Sequence, residues 1–247
     1  MIRGLYTAAT SMQVQMNKMD VITNNMANSD TIGYKKDTMV QQSFSDSLTK
    51  KINELGQTNI GMMKVGVGTS KVVTDFEQGN FKDGGPLDIA LEGSGFLCVN
   101  TERGERYTRM GDLTQNAEGY LLDANGDMVL DENDNSIILP SGGTVNIGTN
   151  GVISVGGEQI AKLKIVDFED LHYLEKEGEG LYRTLDGATQ KQFTGSVRQG
   201  FVEASNVNIV REMVNMISLN RNYEANQKVI QTHDSLMDKA VNDVGRL

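Results

Sequence analysis

The sequence is poor in the residues that commonly announce chemistry. Its 247 residues include one cysteine, Cys98, so no disulfide framework can form within the chain and no cysteine cluster can hold a metal. The two histidines, His172 and His233, stand far apart and cannot make a histidine metal site by themselves. No apolar run approaches the ~18–20 residues of a membrane span. The N-terminus, MIRGLYTAATSMQVQ, lacks the uninterrupted apolar stretch of a secretory signal. Positive charge is scarce: 23 Lys and Arg face 33 Asp and Glu, a net charge of -10. That balance argues against nucleic acid, whose phosphates call for clustered cations. What these absences leave is an acidic globular chain, long enough to bury a core without metal or disulfide staples.

What is present is unevenly distributed. Residues 1–45 carry a net charge of +1, residues 197–247 are neutral, and the residues between them carry -11. Of 27 glycines, 23 are central, as are both prolines, Pro86 and Pro140, whereas nine of 13 methionines lie in the ends. Glycine and proline punctuate turns, so the ends read as helical and the centre as strands and turns.

The ends share a pattern. Ile2, Leu5, Ala9, Met12, Met16, Met19 and Met26 follow the 3-4 spacing of a coiled-coil seam, broken only at Thr23, and Leu5, Met12, Met19 and Met26 recur every seven residues. This helix is expected to fail near Asn28-Ser29-Asp30, ahead of Gly33. At the other end Ile209, Met216, Tyr223, Ile230, Met237 and Val244 also recur every seven residues. Asn206 or Asn208 would cap that helix and Gly245 would stop it. Its second row, Glu212, Leu219, Asn226, His233 and Ala240, is mixed, and polar seam residues set register at a cost in stability. Such a stripe is commonly one side of an ordinary amphipathic helix. Two of them at opposite ends, both rich in adaptable methionine, point instead to ends that pair and assemble.

The centre shows short β-rich runs: 71–74, 96–100, 120–122, 128–130, 144–147, 152–155 and 163–168, with hairpin signals at Asn125-Gly126 and Asn150-Gly151. The expected fold is therefore α+β: long N- and C-terminal helices paired as a coiled-coil stalk, and a central all-β domain. The expected divisions are an N-terminal stalk helix at 1–45, a connector at 46–75, the β domain at 76–196 and a C-terminal stalk helix at 197–247.

Catalytic and binding motifs fail on inspection. Asp123 to Asp127 resembles a calcium loop, but the glycine falls at the fourth position instead of the sixth, so an acidic hairpin turn is the better reading. Gly66 to Lys71 lacks phosphate-loop spacing, and Glu92-Gly93-Ser94-Gly95 lacks the glycine that a nucleophile elbow needs two residues before its serine. No catalytic residue, metal or cofactor is expected.

The stretch Asn24-Asn25-Met26-Ala27-Asn28-Ser29-Asp30-Thr31-Ile32-Gly33-Tyr34-Lys35 resembles the N-terminal signature of bacterial flagellar rod and hook proteins. Gly200 to Asn208, containing Glu203, Ser205, Asn206, Val207 and Asn208, resembles their C-terminal signature, which continues through Glu212-Met213 and the helix beyond. Phe76 to Gly79, Pro86 to Ala90, Gly93 to Phe96 and Tyr107 to Gly111 resemble the central β domain of that family. The likeness spans nearly the whole chain, in order, and its length and central motifs are most like the distal-rod branch. It implies an axial subunit of the basal body, a helical homopolymer that contacts neighbouring rod and hook proteins. It also implies delivery through the flagellar type III export apparatus without a cleaved signal, and no membrane insertion. Other axial paralogues, the proximal rod or hook subunit, share the end signatures. Two further alternatives are a wall-degrading enzyme on a helical stalk and a monomeric ligand-binding β domain with a helical hairpin.

Overall fold

A computed structural model describes residues 2–43, 67–140 and 142–244. The chain is α+β, with an N-terminal helix, a central β-rich domain and a C-terminal helix. It divides into two compact units: Met1–Ala27, Asp37–Val73 and Asn208–Leu247 form the first, and Asn28–Lys36 with Thr74–Val207 form the second.

In the first unit, helix α1 spans Ile2–Ala27 and helix α2 spans Ile209–Val244. α1 gives way at Asn28, whose carbonyl accepts the Thr31 amide and whose side chain accepts the Thr31 hydroxyl. α2 is capped by Asn208, whose Oδ1 accepts the Arg211 amide at 3.0 Å, satisfying one of the free donors of the first turn. Asn206, the other candidate cap, has a different task described below. The stop expected at Gly245 lies outside the described residues. The helices touch in antiparallel sense: Asn226 Nδ2 donates to Ser11 Oγ at 3.1 Å, and the His233 ring lies against Gly4, where a Cβ would come within 2.8 Å of Nε2. Along α2, residues 209, 212, 216, 219, 223, 226, 230, 233, 237 and 240 are buried or half-buried, a continuous 3-4 stripe. Along α1 the expectation needs correcting. Ala9 and Met16 are exposed, whereas Ala8 and Val14 are buried, because the face in contact with α2 runs through Gly4 and Ser11, one position before the Leu5 row. The same unit holds, all but Thr74, a two-stranded ribbon of Asp37–Ser43 and Val67–Thr74. Residues 46–66 of the expected connector lie outside the described residues.

The second unit is built around the strand Phe96–Thr101, which pairs antiparallel with Gly104–Thr108, Met128–Val129 and Ile165–Phe168. Side chains alternate across a strand, and here the alternation feeds two cores. Leu97 and Val99 join an aliphatic cluster with Ile89, Leu121, Ile137 and Ile153, while Phe96 and Cys98 join an aromatic cluster with Tyr107, Phe168 and Tyr182. The rings meet edge-on, Tyr107 and Phe168 at 5.0 Å between centroids and Phe96 and Phe168 at 5.9 Å, as their quadrupoles favour. Three successive turns are fastened in one way: Asn116, Asp123 and Asp131 each accept, on a single side-chain oxygen, the amides two and four residues on. Asp123 Oδ1 thus accepts the Asn125 and Asp127 amides within an acidic turn.

The short strands Phe81–Asp83, Ile89–Glu92, Gly104–Thr108, Leu174–Gly178, Leu181–Thr184, Gln190–Gln192, Ser196–Gln199 and Phe201–Glu203 were not marked by β-rich runs. Several carry charged residues at successive positions, and two pairs join neighbours distant in sequence: Ser196–Gln199 with Ile89–Glu92, and Phe201–Glu203 with Phe81–Asp83.

Candidate functional site

The second unit buries three charges together. Lys35 and Glu203 are each 1% exposed and Arg109 is 4% exposed. Lys35 Nζ lies 2.6 Å from Glu203 Oε1 and donates also to the Glu77 carbonyl at 2.8 Å. Glu203 Oε1 further accepts the Gly79 amide at 2.8 Å, and Oε2 faces Arg109 Nη1 at 3.4 Å. Arg109 in turn places its guanidinium over the Phe96 ring, 4.9 Å from the centroid. Burial pulls the Lys35 ammonium below its ordinary value, opposed by the Glu203 carboxylate beside it. Burial acts on Arg109 in the same direction. One carboxylate thus holds two buried cations.

Local backbone makes room for this cluster. Gly33 has φ +67° and donates its amide to the Glu203 carbonyl at 2.7 Å; a Cβ there would lie 2.6 Å from the Arg109 carbonyl. Only glycine takes that conformation and that approach without strain. A Cβ on Gly79 would fall 1.9 Å from the Ala204 carbonyl oxygen. Tyr34 is buried beneath Lys176, whose Nζ is 3.7 Å from the ring centroid and donates to the Lys35 carbonyl.

A second, less buried layer lies alongside. Asn206 Oδ1 accepts the Lys36 amide at 2.7 Å, and its Nδ2 donates to the carbonyls of Asp75 at 2.8 Å and Glu77 at 3.1 Å. The Asp75 amide donates to the Lys36 carbonyl at 2.8 Å. Ser205 Oγ accepts the Val207 amide at 3.3 Å, which sets the chain direction towards Asn208.

The structure thus divides the predicted site residues into two groups. Of the signature residues, Gly33, Tyr34, Lys35, Glu203, Ser205, Asn206 and Val207 gather in the second unit around the charge cluster, and Asn28 and Thr31 close the turn that leads into it. Asn25, buried in the first unit, brackets Asp37 instead, accepting its amide at 2.9 Å and donating to its carbonyl at 2.8 Å. Asn208 is the α2 cap. The assembly-seam residues Leu5, Met12, Met19, Met26, Ile209, Met216, Tyr223, Ile230 and Met237 are all half-buried on α1 and α2; Val244 ends α2, its side chain outside the described residues. Arg109, Lys36 and Asp75 were not singled out from sequence. The one available signal for Arg109 was its place in the Tyr107 to Gly111 motif, because an isolated charge in a strand-rich region has no periodicity to betray burial.

Chemically the carboxylate of the cluster is fully engaged, while Arg109 Nε is buried without a hydrogen-bond partner among the described residues. Every oxygen of Glu203 has a partner, and Ser94 Oγ, the serine of the failed elbow, donates to Asp167, which is also paired with Lys191. Among the described residues no three His, Cys, Asp or Glu side chains are placed to hold a metal, and no helix is long and apolar enough to cross a membrane. What the arrangement does is hold chain segments together, as in a structural subunit.

Comparison with known proteins agrees and is more specific. Residues 198–243 match the family described as flagellar basal body rod FlgEFG protein C-terminal, residues 90–155 the flagellar hook protein FlgE/F/G D1 domain, and residues 5–35 the flagella basal body rod protein family. The chain is 32% identical over 250 residues to the flagellar basal-body rod protein FlgF of Caulobacter vibrioides, covering all of both chains. It is 34% identical over 264 residues to the rod protein FlgG of Buchnera aphidicola, covering 97% of this chain and 98% of that one. To FlgG of Bacillus subtilis it is 32% identical over 269 residues, covering 98% and 99%. The chain belongs to the flagellar basal-body rod protein family, whose members are structural proteins of the basal body and not enzymes.

Proposed function

We propose that the chain is an axial rod subunit that polymerises through its terminal helices, paired as a coiled coil, into the drive shaft carrying torque from motor to hook. The observation that carries this reading is an apolar run on α2 outside its stripe against α1. Val210, Met213, Val214 and Ile217 are 69%, 47%, 60% and 53% exposed within the first three turns. A helix that leaves such side chains in water beside an already apolar face has more neighbours to meet. The partners in this reading are further copies, adjoining rod and hook proteins, and the type III export apparatus, which would deliver the chain without cleaving a leader.

Within the rod, the distal position is favoured by the likeness of the central motifs. Another axial position, in the proximal rod or the hook, is the second reading, because the chain is about equally identical to rod proteins of two names, FlgF and FlgG.

Basal bodies isolated from a strain lacking the gene test the assignment by electron microscopy. Truncated rods without hooks are expected, with a long stub for a distal subunit and a short one for a proximal subunit. Complete rods without hooks would move the protein to the hook, and intact flagella would overturn the reading. Met216→Asp or Tyr223→Asp is expected to abolish assembly while the β domain stays folded, checked by rod isolation and by circular dichroism of the purified variant. Normal rods built from either variant would refute the helical seam.

A further inference from the structure

The chain enters or leaves the second unit at four places: before Asn28, after Lys36, before Thr74 and after Val207. Three of these ends are tied together within that unit. Lys36 donates its amide to Asn206, Asn206 donates to the Asp75 carbonyl, and Asp75 donates its amide back to Lys36, a closed ring reinforced by the Lys36–Asp75 ion pair at 3.7 Å. Directly behind the ring sits the buried Lys35–Glu203–Arg109 cluster, with one member from each of two of these ends. The tied segments run in the same direction: Gly33 meets Glu203 and Lys36 meets Asn206.

We propose that this ring is a clasp that makes the three chain ends move as one body, so that load entering the unit through any of them is shared by all. The load-bearing part of the proposal rests on the rod reading above. Its physical basis is twofold. Hydrogen bonds that close a ring cannot open singly without straining the others. Buried charges behind the ring disfavour the opened state, since Lys35 and Arg109 would lose the Glu203 carboxylate in a dry site. A side chain that merely satisfied a turn would not join segments 131 and 170 residues apart in sequence.

Amide hydrogen exchange on the full-length protein with Asn206→Ala tests cooperativity. Asn206 is only half-buried, so the variant is expected to fold. The Lys36 amide loses its acceptor directly, but the Asp75 and Gly33 amides keep theirs. The clasp predicts that all three exchange faster together, by roughly 100-fold, while the Cys98 and Leu121 amides of the two cores are unchanged. Acceleration of Lys36 alone, or of the core amides as well, would overturn it, because the bonds would then be independent or the whole unit would be opening. The same variant in cells tests the load. Rods of normal length that fail to drive swimming in viscous medium are expected. Normal swimming under load, or absence of rods, would remove the mechanical role; neither result touches the assignment to the rod, which the deletion strain tests separately.

Discussion

The two units treat polar and apolar groups in opposite ways. In the second, Phe96, Leu97, Cys98 and Val99 are wholly buried and the Lys35, Glu203 and Arg109 charges pair with one another inside it. In the first, the face between the helices includes Ser11, Asn226 and His233, whereas Val210, Val214 and Ile217 lie in water. One unit has its core inside; the other keeps apolar surface outside. That asymmetry separates the part whose residues answer for stability from the part on which the proposed assembly would draw.

The contrast can be broken most severely at Glu203. Glu203→Ala leaves Lys35 and Arg109 buried without their carboxylate and is expected to destabilise the second unit by about 3–5 kcal/mol. Denaturant titration checks this, with Cys98 as an internal reporter. Burial pushes its thiol far above the ordinary range, so it should resist alkylation until the unit opens, and open at lower denaturant in the variant. An unchanged midpoint would mean that the cluster is not what closes the unit. Val214→Asp and Ile217→Asp sharpen the comparison from the other side. Both positions are exposed, so unfolding of the isolated protein should shift by no more than about 0.5 kcal/mol while rod assembly is lost. A large loss of stability in the monomer would show that this exposed apolar run is already in use.

The smallest effect concerns Asp112. Its carboxyl is half-buried, with Oδ1 lacking a hydrogen-bond partner, and burial, aided by Asp88 and Asp123, raises it above the usual carboxylate value. A group raised in this way favours the folded state when protonated. Its contribution is complete below the ordinary value of about 3.9 and is lost as pH rises through the raised one. Asp112→Asn is therefore expected to raise stability at pH 7 and to flatten the acid side of the stability profile. An unaltered profile from thermal melts between pH 4 and pH 7 would count against it.

Legibility in the sequence followed periodicity. The seven-residue rows of α1 and α2 and the runs at 96–100 and 152–155 could be read because propensity and pattern act locally. The face of α1 was displaced by one residue, since Gly4 and Ser11 line the contact and small residues do not register as apolar. The strands 104–108 and 174–178 were missed because their sequences, GERYT and LEKEG, are recruited by pairing and not by β propensity. Signature residues could be recognised as a set, but not that Lys35 and Glu203 touch.

By itself, then, the sequence determined that a helix at each end would flank a strand-rich centre, several of its turns, which functions its composition excludes, and, through its end signatures, its likeness to the rod family. Each of these depends on residues near one another in the chain. Only the tertiary structure decided that Lys35, Arg109 and Glu203 share one dry site and that Lys36, Asp75 and Asn206 close a ring. Such contacts join positions up to 170 residues apart, and a charge becomes a lock only when folding removes the water that would otherwise answer it.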